Sequence, residues 1–300
     1  MDMTQNKCCR HGASLRRRRR RRRKILRSII FSCSIIAVAV FVAVGSRMIT
    51  SGDGRTNKYD VEAGNNTYDN AVIENSKISE KNKIQNNQSM LDDIMNSTQY
   101  PKQLKDLALK NEEALEFVYD YPAEHVKEHT IDLTEEASMD SVPLFVQWDK
   151  RWGYEKYSGN FFAASGCGPT TLSMVVVYLT HNREASPIAV AKYSKEAGYS
   201  VDGSGSSWTL ISEGCMHYGV KAKAVALDES RMKAELDEGH PIVVNVGPGD
   251  FTDTGHFMVI TGYDDEGFSI NDPNIIEKSG KRWLFRNISS QIRAVWSMYV

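Results

Sequence analysis

Nineteen consecutive uncharged residues, Ser28 to Ser46, stand directly behind an arginine block, and no other feature constrains the chain so strongly. Of residues 1–27, twelve are Lys or Arg (Lys7, Arg10, Arg16 through Arg23, Lys24 and Arg27) against one acid, Asp2. A positive block of that density cannot collapse on itself and has to face solvent or anions. The run behind it is dominated by Ile, Val, Ala and Phe. At about 1.5 Å per helical residue it just spans a hydrocarbon core of about 30 Å. The expectation is a basic cytoplasmic arm over 1–27 and a transmembrane signal-anchor helix over 28–46. Everything after residue 47 then lies outside the cell membrane. Ala43-Val44-Gly45 resembles a small-residue cleavage site, so a cleaved signal peptide and a secreted product is the alternative. Its apolar core would exceed the usual ~7–15 residues. Anionic lipid suits the basic arm as a partner. Nucleic acid is disfavoured, because the run abuts the apolar span and carries no interleaved aromatics.

From Met48 to about Gln88, Asn, Ser, Lys, Asp and Glu dominate with little apolar period, which reads as a flexible stalk over 47–99. A short helical segment is expected over 100–140. Pro101 suits a first helical position, Leu104, Leu107 and Ala108 share a face, and Asn111 can cap a turn carrying Leu115, Val118 and Tyr119. This segment either packs on the body of the protein or extends the stalk. The compact domain is expected over 141–300. Its first half reads helical, with one helix over 167–180, one from Ser186-Pro187 to about Ala197, and a third around Trp208, Ile211 and Cys215. Its second half reads as strands at 242–246, 257–263, 268–271, 283–285 and 294–300, separated by Gly, Asp or Pro clusters. Helices followed by an antiparallel sheet make an α+β fold.

Five cysteines, at 8, 9, 33, 167 and 215, are too sparse for a disulfide framework. Cys8 and Cys9 lack companion ligands. Cys167 and Cys215 could pair in an oxidising space, but the setting of Cys167 argues for a free thiol. In Ser165-Gly166-Cys167-Gly168-Pro169-Thr170 the cysteine opens a helix. Unpaired N–H groups and the positive end of the macrodipole there favour thiolate. The flanking glycines leave room for a substrate backbone. Thiol catalysis also needs an imidazole that takes and returns a proton. His256, in Gly255-His256-Phe257, begins an apolar strand; His240, in a turn before Pro241, is the rival among seven histidines. Asp272, in Ile270-Asn271-Asp272-Pro273, ends the next strand, where a carboxylate can orient the ring. It is otherwise a turn former. Gln147 supplies an amide that can join the Cys167 N–H as an oxyanion hole, or is an ordinary surface glutamine. Neither an HExxH nor a CxxC pair calls for a metal, and no cofactor is expected.

The order Gln, Cys, His, Asp resembles that of papain-like cysteine peptidases. The segments from Val142-Pro143 through Gln147, Gly166-Cys167-Gly168-Pro169-Thr170, Gly255-His256-Phe257 and Asn271-Asp272-Pro273 resemble the bacteriocin-processing, C-thirty-nine-like group of bacterial enzymes. The resemblance covers about residues 141–300. It implies a papain-like α+β fold, with Cys167 as nucleophile, His256 as general base and acid, Asp272 as orienter and Gln147 as oxyanion donor. Members fused to peptide exporters keep the glutamine much closer to the cysteine, whereas nineteen residues intervene here. Their leader-peptide specificity does not carry over. The expected activity is hydrolysis of a peptide or protein substrate at the cell surface. Capture of the thioester by an amine (acyl transfer or transpeptidation) and a non-catalytic peptide- or wall-binding module are the alternatives.

Overall fold

A computed structural model describes residues 66–300, with side chains from residue 79 onward. Asn70–Val300 forms one compact unit, which holds the sheet and every candidate site residue. The basic arm, the apolar run 28–46 and Cys8, Cys9 and Cys33 lie outside the described residues.

Two expectations need correction. Among the described residues no helix is long and apolar enough to cross a membrane, so the single-pass anchor and the membrane localisation built on it find no support. The flexible stalk over 47–99 is also wrong from residue 66 on. Helix α1, Asn66–Asn96, occupies that stretch. Its polarity suggests a stalk, but it contains neither Gly nor Pro, and polar residues alone do not break a helix. Its last turns gain an apolar anchor, because Ile94 is fully buried with Met90 and Leu91 packed beside it. The partners come from α2, Lys102–Lys110, and α3, Leu115–Tyr119, through Leu104, Leu107, Leu115, Phe117 and Val118. Asn111 begins the 3-10 turn between them, its side chain accepting from Glu113 N.

The body of the unit is a six-stranded antiparallel sheet. Its strands are β1 (Lys221–Ala224), β2 (Ile242–Val246), β3 (His256–Asp264), β4 (Gly267–Asn271), β5 (Arg282–Trp283) and β6 (Ile292–Tyr299). The spatial order is β1-β6-β2-β3-β4-β5. Side chains alternate across it with period two. Val243, Phe257, Val259, Trp296 and Met298 face one cluster, while Ile242, Val244, Met258, Ile260 and Ile270 face another. With both faces covered, every residue of β2 is buried. The first cluster holds α4, Cys167–Thr180, in which Gly168 through Val177 are all buried. Fully burying a side chain such as Leu172 or Val176 contributes about 1.5–3 kcal/mol. Helix α5, Pro187–Glu196, starts on a Ser186 cap and packs against α4. Helix α6, Glu229–Asp237, seats Met232 on the second cluster.

Strand β1 has no counterpart among the strands expected from sequence. Its Lys-Ala-Lys-Ala sequence has little intrinsic strand preference. It exists because β6 offers it a paired edge, Trp296 to Tyr299 against Ala224 to Lys221. The third expected helix is two short pieces, Thr209–Ser212 and a 3-10 turn Gly214–Tyr218. The β3–β4 hairpin turns at Gly267, whose φ is +136° and whose missing Cβ would sit 2.6 Å from the Trp283 carbonyl oxygen. Only glycine fits there. Its register, Val259 opposite Asn271, carries residue 272 to the mouth of the sheet where β3 begins.

Candidate active site

Cys167 is the first residue of α4, half-buried and not in a disulfide. The glycines around it serve the protein's own packing. A Cβ at Gly166 would lie 2.6 Å from the Phe162 ring, and one at Gly168 would lie 2.5 Å from Ser206 Oγ. The close approach expected of a substrate is therefore made by Phe162 and Ser206. The turn before the helix is tied back by Ser165 Oγ, which donates to the carbonyls of Tyr157 (2.8 Å) and Phe161 (3.0 Å).

His256 opens β3 and is 6% exposed; Asp272, directly after β4, is fully buried. His256 Nε2 lies 2.8 Å from Asp272 Oδ1. The imidazole and the Cys167 thiol act on each other's charge, lowering the thiol and raising the ring. With Nε2 committed to the carboxylate, the nitrogen left for sulfur is Nδ1. Cys167, His256 and Asp272 are thus coupled electrostatically, with the ring fixed by the carboxylate. Asp272 Oδ1 accepts further from Asn274 N at 2.8 Å and Ile275 N at 3.3 Å, while Oδ2 is buried without a partner.

The shifts follow from this arrangement. Burial pushes the Cys167 thiol up, but the hydrogen bond and charge of His256, with the N–H groups of Phe257 and Gly168, outweigh it. The net shift is downward. Burial likewise works against a charged His256, yet the Asp272 carboxylate and the sulfur raise it to about 10. Asp272, despite its own desolvation, is held low by His256 and the Asn274 N–H. The three shifts favour a thiolate–imidazolium pair buttressed by a carboxylate, which titrates as a unit.

Gln147 spends its hydrogen bonds on neighbours of the site rather than on the sulfur. It is 5% exposed, and its Nε2 donates to Ala163 O at 2.7 Å. Its Oε1 is buried without a partner, and its backbone N donates to Pro273 O at 2.7 Å. It therefore bridges the turn before Cys167 and the loop after Asp272, with no hydrogen bond to Cys167. The rival His240 is engaged elsewhere, with Nδ1 3.0 Å from Glu235 Oε2 and its ring beside Tyr299. His181 turns toward Ala137 O, and His217 stacks on Tyr193. The N–H groups of Phe257 and Gly168 at the sulfur are invisible in the sequence, since backbone donors leave no residue-type signal. Tyr157, whose hydroxyl bonds Ser194 and Ser206, lies near enough to Cys167 for the two to interact electrostatically. Its residue type alone suggests no more than a packing aromatic.

A protein-family model described as the Peptidase_C39 like family matches residues 139–300. Among solved structures, the peptidase domain of Streptococcus ComA, a bi-functional ABC transporter involved in a quorum sensing pathway, is similar at 18% identity. That match covers 53% of this chain and 96% of that one, with a TM-score of 0.39. A chain described as a C39-like peptidase from Bacillus anthracis is similar at 16% identity, over 53% and 95% of the two chains, with a TM-score of 0.32. No curated protein matches.

Proposed function

We propose, since the chain belongs to the Peptidase_C39 like family, that its peptidase-type domain hydrolyses peptide bonds through a thioester on Cys167. One observation carries this reading: the His256 ring is held by the buried Asp272 carboxylate, Nε2 to Oδ1 at 2.8 Å, and acts electrostatically on the Cys167 thiol. The Cys167 thiolate attacks the scissile carbonyl carbon, and the carbonyl oxygen takes up the negative charge. The Gln147 amide has one N–H beyond the one used on Ala163 O, and that hydrogen is the candidate oxyanion donor. His256 gives its Nδ1 proton to the leaving amine as the C–N bond breaks, which leaves the acyl group on sulfur. Water then attacks the thioester, its proton passing to His256, and the C–S bond breaks to restore the thiolate. Asp272 keeps the ring oriented and its positive form stable throughout.

Cys167→Ala tests the reading. Turnover of a diverse peptide library should vanish, while unfolding free energy stays within about 1 kcal/mol of the parent, because sulfur leaves only a half-buried position. Full activity in that variant removes Cys167 from the mechanism.

A further inference from the structure

We propose that Asn111 and Glu113, which precede the family-matched residues, are positioning residues for the Asp272–His256 pair, acting through the turn that follows the carboxylate. The inference rests on the catalytic role proposed for Cys167, His256 and Asp272.

Backbone accounting leads to it. A turn needs partners for its N–H and C=O groups when the sheet supplies none. After β4 the chain leaves the sheet; Asp272 N donates locally to Ser279 Oγ at 2.9 Å, and several other polar groups of the turn are met from two distant segments. Pro273 O accepts from Gln147 N at 2.7 Å. Asn274 O accepts from Trp148 Nε1 at 2.7 Å and from Asn111 Nδ2 at 2.9 Å. Ile276 N and Glu277 N donate to the two oxygens of Glu113 at 2.5 and 2.9 Å. Between these anchors, Asn274 N and Ile275 N donate to Asp272 Oδ1, the same oxygen that meets His256. Oδ2 bonds nothing. The rotation of the carboxylate is therefore set by the two amides at 274 and 275, and those amides are set by the anchors on either side. Asn111 is 2% exposed and holds its own turn through Glu113 N at 3.0 Å, so its side chain is fixed at both ends. Helices that merely lengthened the chain would have no reason to commit their buried amide and a carboxylate to this one loop.

The charged or titratable groups acting on the pair are few. Cys167 faces His256 from α4, Asp272 faces it from the turn, Lys278 acts on Asp272, and Tyr157 acts on Cys167. A carboxylate that loosens supports the imidazolium less, and a weaker imidazolium supports the thiolate less. The sign is then fixed: the pH at which Cys167 becomes reactive moves up.

Alkylation of Cys167 by iodoacetamide against pH, on the full chain, reads this without a substrate. Asn111→Ala and Glu113→Gln should each raise the limb by about one pH unit, a tenfold slower reaction below it. Glu112→Gln removes the same charge one residue away, from a side chain that bonds Asn87, and should leave the limb in place. A wild-type limb below the ordinary thiol range with superimposed Asn111→Ala and Glu113→Gln profiles overturns the positioning role and spares the catalytic reading. Equal shifts in Glu112→Gln and Glu113→Gln, with Asn111→Ala unmoved, make the effect one of net charge and overturn it too. A wild-type limb at the ordinary thiol value overturns both. Should Asn111→Ala not fold, the two glutamine variants decide alone.

Discussion

Cys167 and Cys215 belong to the same apolar cluster and are both free, yet their thiols shift in opposite directions. Cys215 sits in the 3-10 turn Gly214–Tyr218, where burial pushes it up to about 11 and only its own N–H and that of Met216 resist. Cys167 is desolvated as well, but the protonated ring of His256 reverses the sign. Burial is a cost that both sulfurs bear. A charged partner with a buried counter-ion behind it is what separates the two thiols. A cysteine in a helix's first turn is thus only half of the proposed reactive centre, which the ring on the neighbouring strand would complete.

Breaking that partnership should erase the contrast. In His256→Ala the thiol keeps its desolvation and loses the offset, so its reactive limb should climb above the ordinary thiol value toward that of Cys215. Turnover should fall by about 10³-fold or more. Iodoacetamide alkylation of the two cysteines, followed by mass spectrometry, measures the first effect. A profile unchanged from the parent would mean that the ring does not control the sulfur.

Gln147→Ala sharpens the comparison by leaving thiol and ring in place. Alkylation should be nearly unchanged while kcat falls about 10²-fold, the usual cost of losing one oxyanion donor. The freed Ala163 carbonyl adds a stability cost of about 1–3 kcal/mol. A parallel loss of alkylation rate and kcat would instead make Gln147 a support for the Cys167 turn.

The smallest effect belongs to Cys215→Ala. Removing a buried sulfur should cost about 1 kcal/mol in thermal or denaturant unfolding, with alkylation of Cys167 and turnover unmoved. A change in turnover would show that the second thiol communicates with the first.

What the sequence made legible was governed by locality. Four of the five residues of β2 are apolar and β-branched, Asn245 being the exception, and 242–246 reads as a strand. The start of α4 is written in Gly166-Cys167-Gly168-Pro169, because helix openings have local chemistry. The identities at 147, 167, 256 and 272 stand out for the same reason. Their separations in space do not, since the 2.8 Å contact of His256 and Asp272 depends on hairpin register. Where stability is borrowed from a neighbour, residue types are silent or misleading. Strand β1 takes its conformation from β6, and α1 looks like a linker until Ile94 meets Leu104 and Val118. Asn111 reads as a cap, which it is, but its second bond runs to a loop 163 residues later. No local pattern announces such a bond.

Strand β1 has one more consequence. An open sheet invites a second chain to add itself along an unpaired border, and this one ends in exposed Lys221 and Lys223 on one side and a two-residue stub, β5, on the other. Docking another strand against the first would bring lysine toward lysine, and the second offers too few amides to hold a guest. The same residues that hide β1 from pattern reading therefore guard the protein against stacking into fibres as its concentration rises.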